Sequence, residues 1–191
     1  MRNRKSVLWI TQTAVFIALL VSAQAFTRPF GQFVTGSCVN FILASSCILV
    51  GLASAALVAV LSPVFAFIVI GIPVFPILIP FIIAGNIVFV VAIHFISGKF
   101  ASGEEFADLS RRFYVRAYVA GAGGSILKFL VLWIGIVKIA LALIPDAKQP
   151  QIDAMAATFS WPQLVTALIG SSIAIMIMPR VTKALRSTKR N

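Results

Sequence analysis

GLASAALVAVLSPVFAFIVIGIPVFPILIPFIIAGNIVFVVAIHFI, from Gly51 to Ile96, is one unbroken apolar stretch. A bilayer's hydrocarbon core of about 30 Å takes about 20 residues of helix at about 1.5 Å each, so the stretch is too long for a single crossing. Gly71, Pro73 and Pro76 mark where it divides, because a proline inside a helix forfeits a backbone hydrogen bond. Two crossings joined by a tight hairpin result. The run from Ile87 to Ala92 has no polar residue at every second position, as the strands of a membrane barrel would require. The chain therefore reads as helical.

The same rule applied in both directions gives six spans, at about 7–26, 34–50, 53–70, 77–96, 115–144 and 161–178. The fold class expected is an all-α integral membrane protein, a six-transmembrane-helix bundle forming one domain over residues 1–191, with a polar loop at 97–114. Composition agrees: 60% of the residues are hydrophobic and 11% charged, and the mean hydropathy is +1.04, whereas soluble domains are about one quarter charged. The segment beginning MRNRK and reaching Ser22-Ala23-Gln24-Ala25 also resembles a secretory signal. A first helix is preferred, since the remaining bundle gains from it.

Sixteen Lys and Arg against five Asp and Glu give a net charge of +11. That excess is placed by topology. Arg2, Arg4 and Lys5 precede the first span, Lys99, Arg111, Arg112 and Arg116 follow the fourth, and Arg180, Lys183, Arg186, Lys189 and Arg190 follow the sixth. Short loops rich in Lys and Arg stay in the cytoplasm, so both termini and the 97–114 loop are expected there, in a multi-pass protein of the cell membrane. Arg28 and Lys148 fall on the opposite side, and Lys128 and Lys138 lie within the fifth span. The cations then meet anionic lipid headgroups, and no nucleic-acid partner is expected.

Several chemistries lack their residues. The nearest approach to a phosphate-cradling G-x-x-x-x-G-K-[ST] loop, Gly121 to Lys128, has the wrong spacing and lies in the membrane. Glu104 and Glu105 before Arg111 resemble the paired glutamates of membrane-embedded CAAX-type proteases. The arginine, however, is two places too far along, and the single histidine, His94, has no second ligand. The stretch is expected to be a solvated loop, and no enzyme activity or metal site is expected. Cys38 and Cys47 share the second span and read as small packing residues. No repeat of roughly 95 residues relates the halves, and all five acids are assigned to loops, which disfavours ion-coupled transport.

Ala14-Val-Phe-Ile-Ala18 in the first span, with Ser22 one turn further, places small residues four apart, a spacing that lets helices approach to backbone contact. On spacing alone, packing within the bundle is the default; Gly51, Ala55 and Ala59 are read that way. The pentapeptide, the segment Pro80 to Asn86 (PFIIAGN), the six spans and the chain length together resemble the substrate-binding S component of an energy-coupling factor (ECF) transporter. The resemblance covers nearly the whole chain. It implies that Ala14 and Ala18 face a partner, a transmembrane coupling subunit associated with two cytoplasmic ATPases. It also implies that the bundle tips in the membrane to deliver a vitamin or related micronutrient taken from outside.

Polar residues within the spans are candidate ligand contacts, because burying them in lipid is costly. Lys128 stands near the middle of the fifth span with no acid in any span to neutralise it. Either an anionic substrate supplies the partner, or the side chain snorkels to the cytoplasmic face; Lys138 is expected to snorkel outward. Asn40 and Asn86 lie at middling depth and offer a ligand hydrogen bond or an interhelical one. The short segment Thr27 to Phe33 either is a plain connecting turn or closes over a pocket, with Phe30 covering and Arg28 or Gln32 polar, as the corresponding loop does in the resembling family. Trp161 and Gln163 could stack on and hydrogen-bond a heterocycle, although tryptophan is also common at membrane interfaces. His94 reads as interfacial. The rival from another class is a ligand-free structural or assembly subunit whose polar residues only hold helices together.

Overall fold

The computed structural model describes residues 2–96, 111–144 and 147–188. These residues are helical with no strand among them, and six of the helices are long and apolar enough to cross a membrane, as in a multi-pass membrane protein. In chain order they are α1 (Arg2–Thr27), α2 (Gln32–Leu49), α3 (Leu52–Ile70), α4 (Ile79–Ile96), α5 (Arg111–Leu132), a short α6 (Gln149–Thr158) and α7 (Trp161–Thr188). The fifth crossing continues past α5 as a π-helix over Trp133–Ala140 and a 3₁₀ turn over Leu141–Leu143.

Glycines set the breaks between crossings. Gly31 (φ +84°) and Gly51 (φ +109°) precede α2 and α3, and Gly71 (φ +72°) ends α3 in the left-handed conformation. After Gly71 come a cis Ile72–Pro73 bond and a 3₁₀ turn at Pro76–Leu78, so the hairpin lies where the glycine and prolines put it. A Cβ at Gly71 would meet nothing within 4 Å, so Gly71→Ala isolates the backbone cost. The variant is expected to lose about 1 kcal/mol in a denaturation titration in micelles, the usual penalty of a left-handed L-residue.

Two buried clusters hold the bundle. The larger joins α1, α2, α3, α4, α5 and α7 through residues such as Leu20, Leu43, Val58, Phe89, Ala117 and Ile175. The smaller, at one end, gathers Leu78, Leu132, Ile136, Leu141 and Phe159, with Ile152 and Met155 of α6 against it. Ala55 and Ala59 are fully buried. The closest seam, between α2 and α7, depends on absent side chains: a Cβ at Gly170 would lie 2.6 Å from the Phe41 nitrogen and the Ser37 oxygen, and one at Gly36 would lie 2.9 Å from Thr166 Oγ1. Without an aqueous driving force between helices in lipid, such close backbone approach supplies the contact energy.

Three expectations need correction. Residues 111–114, assigned to the 97–114 loop, form the first turn of α5; residues 97–110, with Glu104 and Glu105, lie outside the described residues. The fifth crossing is not one regular helix, because its last third widens into the π-helix, where Gly135 leaves room for the Phe81 ring. Asp153 was placed in a loop but sits on α6, accepting a hydrogen bond from Gln149 Nε2 at 2.9 Å.

Candidate functional site

Lys128 turns into the bundle rather than snorkelling to its surface, and only 3% of the residue is exposed. Its Nζ donates to Asn40 Oδ1 at 2.6 Å and to Asn86 Oδ1 at 2.7 Å, tying α5 to α2 and α4, and the Phe89 ring centroid lies 5.4 Å away. Asn40 is held in turn: its Nδ2 donates to the Gly36 carbonyl at 2.8 Å and to Thr166 Oγ1 of α7 at 3.4 Å. Three crossings thus meet at one ammonium, and a fourth, α7, is joined to it through Asn40. Asp153 is the one acid among the described residues, and it is exposed, so the Lys128 charge faces neutral amide dipoles and an aromatic face instead of a carboxylate. Inserting a lysine at the centre of a membrane helix costs about 3 kcal/mol on translocation scales, and two charge-assisted hydrogen bonds offset part of that.

The lysine lies at the floor of a cavity of about 350 Å³ at the end of the bundle where α1 turns into α2. The last turns of α1 contribute Gln24, the 3₁₀ turn after it contributes Arg28, and the first half of α2 contributes Gln32, Thr35 and Asn40. Ser62 and Pro63 of α3, Ile82 of α4 and Leu132 of α5 form the walls, and Asn86 of α4 lies beside Lys128 at the floor. Met155, Thr158 and Phe159, at and just after the end of α6, together with Gln163 of α7, complete the lining. Two polar atoms in this lining are buried without a hydrogen-bond partner, Gln24 Oε1 and Ser62 Oγ. Buried polar atoms nearly always find partners, and besides Ser45 Oγ and His94 Nδ1, which lie away from the cavity, these two are the unpaired ones among the described residues.

Of the candidate ligand contacts, Arg28, Asn40, Asn86, Lys128 and Gln163 line this one cavity. Arg28 is exposed, and its Nη1 donates to the Ile70 carbonyl at 3.1 Å, linking the end of α1 to the α3–α4 hairpin. Gln163 is 6% exposed and donates from Nε2 to the Thr158 carbonyl at 3.2 Å, bracing the turn between α6 and α7. Trp161 is not in the lining: it is 61% exposed and its ring packs 5.5 Å from that of Phe33. Two positions before Gln163 on the same helix start, it faces outward where Gln163 faces in, as an interfacial tryptophan does. Phe30 is 71% exposed and also outside the lining. Lys138 is exposed, with Nζ 4.9 Å from the Trp133 ring centroid. His94 is half-buried, edge-on to Phe95 at 5.3 Å.

Sequence reasoning missed Gln24, Thr35, Ser62 and Thr158 as cavity residues. For Ser62 the available signal was a hydroxyl beside Pro63 in an otherwise apolar span; Gln24 was the one amide in the first span's last turns.

A second concavity, shallow and apolar, runs along the surface between α1 and α3, about 430 Å³ in volume, lined by Ala14, Ile17, Ala18, Val21, Leu61, Phe65 and Val69. Ala14, Ala18 and Ser22 are exposed, so this face of α1 is not used in the bundle. The Thr13 hydroxyl, one position before Ala14 at the edge of this face, lies in hydrogen-bond contact with Ser54 Oγ at 2.8 Å and fastens the helix to α3. No family model, no curated protein and no solved structure matches the chain, and the assignment of its role therefore rests on these two concavities.

Proposed function

We propose that the chain is a substrate-specific binding subunit of an ECF-type importer in the cell membrane, with both termini cytoplasmic. In this reading the cavity opens to the outside and takes up a vitamin or related micronutrient. A transmembrane coupling subunit docks on the α1 face, and two cytoplasmic ATPases provide the energy. The observation that carries the reading is the Lys128–Asn40–Asn86 cluster at the floor of the 350 Å³ cavity, at the end of the bundle opposite the termini. A purely structural polar cluster has no need of a cavity, nor of the unpaired Gln24 and Ser62 oxygens. The apolar groove at Ala14 and Ala18 supports the second half, since small exposed residues four apart admit a partner helix closely.

The test is native mass spectrometry and thermal denaturation of the purified chain against a vitamin panel. A ligand at a hundred times its Kd stabilises the folded state by about 2.7 kcal/mol, enough to shift the melting temperature measurably. In cells carrying the partner subunits, Ala14→Trp combined with Ala18→Trp is expected to leave that binding unchanged and to lower uptake at least tenfold. Uptake that survives both tryptophans would remove the α1 face from coupling. A folded chain that binds nothing in the panel would favour the ligand-free structural subunit.

A further inference from the structure

The same cavity carries information about what it takes. Its described lining holds two cations, Arg28 at the rim and Lys128 at the floor, and no carboxylate. An ammonium group has three N–H donors, and two of those on Lys128 go to Asn40 and Asn86, leaving the third with no hydrogen-bond acceptor among the described residues, only the Phe89 ring nearby. Asn86 Nδ2 likewise has no partner among them, so two donors stand together at the floor. Across the cavity, on α1 and α3, the unpaired atoms are of the other kind: Gln24 Oε1 accepts only, and Ser62 Oγ accepts or donates. Between these poles the walls are apolar, formed by Val39, Ile82, Leu132 and Phe159 among others.

Resting on the binding-subunit reading above, we propose that the cavity takes a small organic monocarboxylate that also carries an amide N–H or hydroxyl. The carboxylate lies against Lys128 Nζ and Asn86 Nδ2, the apolar middle spans the walls, and the donor reaches Gln24 Oε1 and Ser62 Oγ. Each part follows from a different observation. A cationic ligand would meet two cations and no counter-charge. A neutral one would leave the buried ammonium with only amide dipoles and the Phe89 ring, and no counter-charge. A dianion would set its second charge against the apolar walls, because the other cation, Arg28, is exposed at the rim and holds the Ile70 carbonyl. An inorganic anion would fill a small part of a volume equal to about a dozen water molecules and would leave the α1 and α3 oxygens unpaired.

The test uses the wild-type chain in micelles and a yeast extract split on an anion-exchange resin into retained and flow-through fractions. The retained fraction is expected to raise the melting temperature and to yield a bound mass in native spectra. Methyl esterification of that fraction should abolish both signals, and phosphatase treatment should leave them. Signals lost to phosphatase, or found with the flow-through alone, would overturn the monocarboxylate while leaving ligand capture intact. No shift from either fraction on a folded chain would overturn capture itself. As a second measurement, Lys128→Met is expected to weaken binding of the captured mass at least tenfold and Lys138→Met to leave it unchanged; equal binding by all three proteins would overturn the role of Lys128.

Discussion

Asn86→Leu is expected to destabilise the folded chain by about 2 kcal/mol, and the same substitution in a Lys128→Met background to cost less than about 0.5 kcal/mol. The reason lies in which partner is left behind. Asn86 Oδ1 is one of two oxygens holding the Lys128 ammonium, and a hydrogen bond to a charged group contributes about 1.5–3 kcal/mol. Removing the oxygen alone strands part of a buried charge, which leucine cannot solvate. Removing the ammonium first removes the demand, and an apolar pair of similar volume then packs at little cost. Chemical denaturation of the four proteins in one detergent gives the coupling energy directly. A cost for Asn86→Leu that is equal in both backgrounds would mean that Asn86 contributes by shape and that the 2.7 Å contact adds nothing. Asn40 is the less clean choice for this cycle, since its Nδ2 also bonds the Gly36 carbonyl and Thr166, and its loss would loosen the α2–α7 seam as well.

The spans were legible because bilayer thickness fixes their length and because the breaks are written in residues with a distinct backbone requirement: Gly51 and Gly71 have positive φ, and Pro73 and Pro76 lie in the hairpin. Within the site, Lys128, Asn40 and Asn86 were legible one at a time, as polar groups in apolar runs. Their meeting was not, because the partners of Lys128 lie 88 and 42 positions away along the chain, and helix rotation about each axis decides whether they face one another. The α6 cap was missed for a different reason. It is a ten-residue helix, shorter than a crossing, that begins at Gln149-Pro150, and a search for long apolar runs passes over it. Its signal was the spacing of Ile152, Met155 and Ala156, one helical face, which packs on the end of the fifth crossing and brings Met155 to the cavity. Trp161 was ambiguous in principle: an aromatic residue at the start of a span suits a ligand and an interface equally, and only its outward direction decides.

The largest single-residue effect on stability is expected at Gly170. Alanine there would put a Cβ 2.6 Å from the Phe41 nitrogen and the Ser37 oxygen and 2.7 Å from Asn40 Cβ. Two of these obstacles are backbone atoms of α2, which cannot rotate aside as a side chain would, so α2 and α7 must separate. Overpacking costs about 1–3 kcal/mol where neighbours can adjust, and Gly170→Ala belongs at or above the top of that range, about 3 kcal/mol. Gly121→Ala is the matched comparison, because its Cβ would meet side-chain atoms only, Ile175 Cδ1 at 3.0 Å and Ser171 Oγ at 3.1 Å; about 1 kcal/mol is expected there. The consequence for the site is specific. Asn40 is one of the residues pushed, and it links Thr166 of α7 to Lys128 of α5, so parting the seam moves an oxygen that holds the ammonium. Gly170→Ala should therefore weaken capture of the retained-fraction compound, whereas Gly121→Ala should lower stability and leave affinity near wild type. Equal melting temperatures for the two variants would show that the seam yields easily and that the position of Asn40 is not set by the approach of α7.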